Sequence, residues 1–208
     1  MTWALSNIRA KVRSLTGRPD TGQISDDDVD VYINRYYQYI FPAEVKPEEL
    51  QSWWEFNTTD GDEDEDLDDD DYFTINNPAY CDGDKLTLYL DPSEFYARWP
   101  ETTTYDESQP VDALFYGQTL LMRPTPDDTY AVKIKAWTRP AALATDTATP
   151  TLEGWGPLIA LGAAIEMLMD YGENEGIASL APMYEKEKIL VMRKTTQLME
   201  DVRTIPRW

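Results

Sequence analysis

Residues 5–40 read LSNIRAKVRSLTGRPDTGQISDDDVDVYINRYYQYI. Leu5, Ile8, Val12 and Leu15 recur at spacings of three and four, which lines one face of a helix from about Thr2 to Thr16. Gly17 supplies a C-terminal stop, and Pro19 lies just beyond it. Ser25 is a good N-cap for a second helix, and Asp26, Asp27 and Asp28 fill its first turn, where the helix dipole favours anions. Val29, Tyr32, Ile33, Tyr36, Tyr37 and Ile40 continue as an apolar and aromatic stripe, which Pro42 is expected to end.

Helical pattern returns only near the other end of the chain. From about residue 155, Leu158, Leu161, Ile165 and Leu168 form a stripe, with small Gly162, Ala163 and Ala164 leaving room for a close neighbour. Gly172 and the ENEG turn are expected to end that helix, and Ser179 to cap the next, with Pro182 still in its first turn. Tyr184, Val191 and Leu198 repeat at seven in this last helix of about twenty residues, and Ile189, Met192 and Met199 widen its stripe.

The middle changes period. Segments 51–59 and 72–77 are aromatic and β-branched and flank an acidic run, so they read as two strands joined by an acidic loop. Segment 85–90, KLTLYL, alternates, and 91–100 reads as one helical turn with Asp91 as cap and Pro92 at the first position. Segments 114–124 and 129–140 are expected to pair as a hairpin, with Tyr130, Val132, Ile134 and Ala136 on one face of the second strand. Segment 141–154 is a Thr/Ala/Pro connector.

These readings predict an α+β fold, a four-helix bundle formed by the N- and C-terminal helices with an inserted β-rich region and an extended C-terminal arm. The expected divisions are an N-terminal helical pair (1–48), the β-rich region with its acidic loop (49–145), a C-terminal helical pair (146–202) and the arm (203–208).

Composition narrows the chemistry. The 208 residues hold 39 acids and 18 bases, a formal charge of -21, with no histidine and a single cysteine, Cys81. A hydrophobic share of 42% is enough to bury a core despite that charge. One cysteine makes neither an internal disulfide nor a CxxC pair, and without histidine there is no Ser-His-Asp or Cys-His system and no HExxH zinc site. No apolar run approaches the ~18 residues that span a membrane, and the N-terminus lacks the apolar block of a signal peptide. The expectation is a soluble product of a reducing compartment, with no catalytic, cofactor-binding or metal site and no membrane partner.

The charge is concentrated. Segment 60–71 holds ten acids in twelve positions: Asp60, Asp62, Glu63, Asp64, Glu65, Asp66, Asp68, Asp69, Asp70 and Asp71. The first 18 residues carry four bases and no acid, so the chain has a basic head and an acidic middle. As a calcium loop starting at Asp60, the tract would put Glu65 where an EF-hand needs glycine and Asp71 where it needs glutamate. As a DNA mimic it would confine its carboxylates to one loop instead of a whole face. The favoured reading is a solvated loop kept extended by like charges; in an oligomer, a ring of such loops would form a negative constriction or skirt.

Asp82, Asp84, Asp91 and Glu94 suit turns and helix caps better than acid–base catalysis, since no nucleophile or phosphate loop accompanies them. Cys81 has only Lys85 as a basic neighbour, which argues against a reactive thiolate. The closing residues Arg203, Ile205, Pro206, Arg207 and Trp208 are another matter. Pro206 prevents helix continuation, and Arg and Trp are enriched at interface hot spots. An arm that enters a partner's groove is favoured over one that folds back on its own core.

The opening pattern resembles the N-terminus of tailed-bacteriophage head-to-tail connector (adaptor) proteins, through Leu15, Thr16, Gly17, Ser25, Asp26, Ile33, Asn34 and Tyr37. Near the other end Ala163, Ala164, Gly172, Glu173, Tyr184 and Glu185 match the same family, as does the closing R-x-x-P-R-aromatic at Arg203–Trp208. The resemblance covers about half the chain; the β-rich middle departs from the smaller family members. It implies a ring, typically of twelve copies, below the portal at the DNA-exit vertex. Helices would pack around a channel, the arm would reach the portal, and the β region would meet a downstream tail or neck protein. Double-stranded DNA would pass without specific binding. The alternatives are an acidic DNA mimic and a calcium-binding interaction module.

Overall fold

The computed structural model describes residues 2–67, 71–101, 103 and 105–201, with side chains described as far as Arg193. In chain order it contains α1 (Leu5–Thr16), α2 (Asp26–Arg35), a π-helical turn (Tyr36–Ile40), α3 (Phe41–Val45), β1 (Gln51–Asn57), β2 (Asp64–Asp66), β3 (Tyr72–Cys81), β4 (Asp84–Tyr89), α4 (Pro92–Arg98), β5 (Asp112–Tyr116), β6 (Thr119–Arg123), β7 (Ala131–Thr138), α5 (Gly156–Asp170) and α6 (Asn174–Asp201). The chain divides into two compact units, one made of its two ends (up to Leu50 and from Arg139) and one of Gln51–Thr138.

In the helical unit α5 is the hub. Ten of its fifteen residues are buried, and α1, α2 and α6 all pack on it. A helix that is apolar on every side has to be surrounded. Around it Leu5, Ile8 and Val12 of α1, Val29 and Ile33 of α2, and Tyr36, Tyr37 and Phe41 beyond are buried. The small residues of α5 do what their size suggests. Gly162 lies against the buried ring of Tyr36, and Gly156 against the indole of Trp3.

The α+β class holds, but the four-helix bundle with an inserted β-rich region does not. Pro42 does not end the second helix. The backbone stays helical from Asp26 to Val45 by widening into the π turn just before the proline, and such a turn accommodates a residue that cannot donate its own bond. The ENEG segment begins a helix instead of ending one: the turn is confined to residues 171–173, and α6 starts at Asn174 with Pro182 inside it. Ser179 is therefore no cap, and its hydroxyl donates back to the Gly176 carbonyl. The described residues hold α3 and α4 besides the four expected helices, and the rest of the chain is a seven-stranded sheet, so a four-helix bundle with a β insertion does not describe the molecule.

The other unit is a seven-stranded mixed sheet in the order β1-β7-β3-β4-β5-β6-β2. Its neighbours pair antiparallel except β4 and β5, which run parallel. β1 and β3 are not partners, since β7 lies between them, and the hairpin is β5–β6 across Gly117, not β6–β7. The two edge strands, β1 and β2, follow each other in sequence with only residues 58–63 between, so the sheet has to curl to bring its edges round. Val132, Ile134 and Ala136 of β7 face the sheet's core, together with Trp54, Leu67, Ile75, Leu86, Leu120 and Met122, as the alternation in that strand implies.

Candidate functional site

Several of the residues that carry the family resemblance lie in the helical unit and have a mechanical task there. Gly17 stands in the left-handed region (φ 68°) and ends α1, a conformation that costs other residues more than glycine. The Thr16 hydroxyl donates to the carbonyl of Val12 one turn back. Ser25 caps α2 by accepting from the Asp28 N–H, and its hydroxyl donates to the Asp28 carboxylate at 2.6 Å. Asn34 holds the connector: its amide donates to the Leu143 carbonyl at 3.2 Å, and its oxygen accepts from the Leu143 N–H at 2.8 Å. Three residues on, the Tyr37 hydroxyl accepts from the Thr151 N–H at 2.9 Å. Gln38 donates to the Pro140 carbonyl. The connector 140–151 is thus fastened at three points by side chains from one helical stretch, which satisfies backbone groups that no sheet or helix partners.

Tyr184 and Glu44 close a second link. The buried Tyr36 hydroxyl donates to the Tyr184 hydroxyl at 3.1 Å; Tyr184 in turn donates to Glu44, which Lys188 also approaches at 3.0 Å. Burial above all pushes both phenols well above their ordinary pKa, helped by the bond to Tyr184 at Tyr36 and by the bond to Glu44 at Tyr184. Both therefore stay protonated donors at any ordinary pH.

Two arginines of α1 tie it to α2, to the loop between them and to the connector. Arg9, with a side chain only 14% exposed, meets Asp30 through two nitrogens at 2.8 and 2.6 Å and Asp146 at 2.9 Å. Hydrogen bonding to Asp30 above all holds its guanidinium even more firmly protonated than usual. Arg13 donates to the carbonyls of Arg18, Asp20 and Ile24 and to the Asp26 carboxylate. Basic residues scattered through a first helix suggest general surface charge; their partners lie up to 137 residues away, and helical spacing carries no sign of them. Among the described acids, Asp26 and Asp30 are already neutralised here.

The acidic tract is only partly a loop. Asp64–Asp66 form edge strand β2 against β6. Glu63 pairs with Arg123, and Asp66 accepts from the Thr119 hydroxyl at 2.7 Å. Leu67 anchors the run: it is 5% exposed and its N–H donates to the Gln118 carbonyl. Glu65 is partly desolvated and surrounded by Asp62, Asp66 and Asp64, so its carboxyl titrates above the ordinary range. Asp60, Asp62 and Asp71 are exposed, while Asp68, Asp69 and Asp70 lie outside the described residues. The leucine that splits the acidic run was the available sign of a strand, since a buried residue needs an ordered backbone around it.

The remaining candidates fall to structure-keeping roles. Asp82 turns from β3 to β4 with φ 50° and accepts from the Ala131 N–H. Asp91 caps α4 through the Ser93 N–H, and Glu94 sits in that helix's first turn. Cys81 is fully buried in the sheet core, and burial pushes its thiol up to about 11, which leaves little thiolate at neutral pH. Among the described residues no group of carboxylates and cysteine is placed to hold a metal ion, and no helix is long and apolar enough to cross a membrane. The arm residues Arg203, Ile205, Pro206, Arg207 and Trp208 lie outside the described residues.

The shared residues cap helices, turn the chain and tie distant segments, and the chemistry they perform is cohesion. The chain belongs to the SU10 adaptor protein family, whose profile matches residues 3–201. It is therefore a bacteriophage adaptor, a structural component of the virion that interacts with other virion components. No curated protein matches the chain.

Proposed function

We propose that the protein forms a ring, of about twelve copies as the resemblance implies, below the portal at the head–tail junction, where it lengthens the DNA channel and joins the capsid to a downstream tail or neck protein. The observation that carries this reading is the family match over residues 3–201, which takes in the sheet unit as well as the helices. Two properties of the chain support it. A net charge of -21 suits a wall past which double-stranded DNA slides without being held, because few phosphates would be neutralised there. The Arg203, Ile205, Pro206, Arg207 and Trp208 arm suits insertion into the portal, and in a ring the acidic segment 60–71 would charge either the lumen or the outside.

Removing residues 203–208 tests the docking role. The shortened protein should keep the helical content and unfolding midpoint of the full chain while losing portal binding. Undiminished binding to portal would defeat the assignment of the arm.

A further inference from the structure

A trough runs along one face of α6 in the helical unit. One hollow of about 600 Å3 lies among α1, α5 and α6, with Leu161 and Met183 in its wall. A second, of about 420 Å3, is lined by Pro157, Leu190 and Val191 and by the carboxylates of Glu153 and Glu187. Trp3 and Glu187 border both hollows, which makes them neighbours. Met183 is 47% and Leu190 42% exposed, and apolar side chains left open together in this way mark a docking surface.

The chain itself supplies a segment of the right reach. Met183, Glu187, Leu190 and Val191 recur at helical spacing, and that spacing brings the same face of α6 round again at position 201, where the helix ends. From Asp201 back to Val191 is ten residues of helix, about 15 Å. Seven residues follow Asp201. With two of them used to reverse direction, the other five extend over about 17 Å, which brings Trp208 level with the second hollow. Pockets of about 300–1,000 Å3 accommodate small organic ligands, so the second hollow has room for an indole.

We infer that the trough is the seat of the chain's own C-terminal arm before it meets the portal, with the Trp208 ring against Leu190, Val191 and Pro157 and Arg207 beside Glu153 and Glu187. A segment tethered this close is present at a local concentration on the order of millimolar, far above that of any second copy. The arm cannot occupy the trough and a portal groove together. Stowing therefore covers an apolar chain end in the free protein and lowers its apparent affinity for portal by the fraction stowed. This assignment rests on the docking role given above for the arm and adds a control on it.

The test uses the full chain at low concentration, with Glu153→Cys and one cysteine appended after Trp208. Mild oxidation should close an intramolecular disulfide in most molecules, seen as a faster-running monomer on a non-reducing gel, while buried Cys81 stays free. Adding Leu190→Glu should cut that yield at least fivefold without lowering the unfolding midpoint. The locked protein should bind portal at least tenfold more weakly than the same protein after reduction. If no intramolecular disulfide forms, or copies link only to one another, the chain's own arm is not the occupant and the docking role is untouched. A yield that Leu190→Glu leaves unchanged removes the trough as the seat. If the disulfide forms as expected and the locked protein still binds portal normally, the seat stands and the docking role of the arm falls.

Discussion

Gly162→Ala probes the packing on which the helical unit depends. A Cβ at position 162 would lie 2.1 Å from Cε2 and 2.2 Å from Cζ of Tyr36, far inside the ~3.5–4.0 Å of comfortable carbon contact. The ring has nowhere to go: it is 1% exposed, bonded through its hydroxyl to Tyr184, and packed beside Phe41. Glycine to alanine inside a helix ordinarily gains about 1 kcal/mol. Overpacking a filled core costs about 1–3 kcal/mol, and an overlap of this size belongs at the upper end. The net is a loss of about 2 kcal/mol, which with a urea slope of about 2 kcal/mol/M lowers the midpoint by about 1 M. Far-ultraviolet circular dichroism follows the helices through the transition. The control is Tyr36→Leu, which removes the ring; in that background Gly162→Ala should become neutral or stabilising. A midpoint that is unchanged or raised in the single variant, or a penalty that persists without the ring, refutes the packing argument.

Three further outcomes follow from the geometry. Asn34→Ala leaves the Leu143 N–H and carbonyl without their partner, at about 1–3 kcal/mol, so amide exchange at Leu143 should accelerate tenfold or more; unaltered exchange there would mean that the connector is held by something else. Glu65→Gln should stabilise the sheet unit at pH 7. Its carboxyl has a raised pKa in the folded state, so stability falls as pH rises from the unfolded value through the folded one, and the neutral side chain escapes that loss. The advantage should vanish at pH 3, where both forms are neutral; the same advantage at both pH values would contradict the cause given. Cys81, with its thiol near 11 and no exposure, should resist thiol reagents at pH 8 until urea unfolds the sheet, and rapid labelling of the native protein would show that the core opens.

Local signals in the chain were legible wherever a single residue decides the backbone. Gly17, Ser25 and Asp91 each mark a helix boundary that the structure confirms, because caps and left-handed turns act within a few residues. Readings that needed a partner went astray. The alternation in β7 places Val132, Ile134 and Ala136 correctly inward, but alternation says which face is buried and not which strand lies alongside, so β7 joins β1 and β3 instead of β6. Pro42, expected to end a helix, and Ser179, expected to start one, both lie in continuous helix; the π turn that admits Pro42 has no sequence signature of its own. The clamp of Asn34 and Tyr37 on the connector and the Arg9 contacts join residues more than a hundred positions apart in most cases, and spacing along a helix cannot reveal them. Asn34 and Tyr37 belong to the motif that carries the family resemblance, and the structure shows what they hold; Arg9 belongs to no motif.

Mixed with purified portal, the full chain should form a complex whose mass corresponds to a closed ring of copies, about twelve, on each portal. If the chain stays monomeric beside the portal at every concentration, its place as a ring at the head–tail junction is wrong.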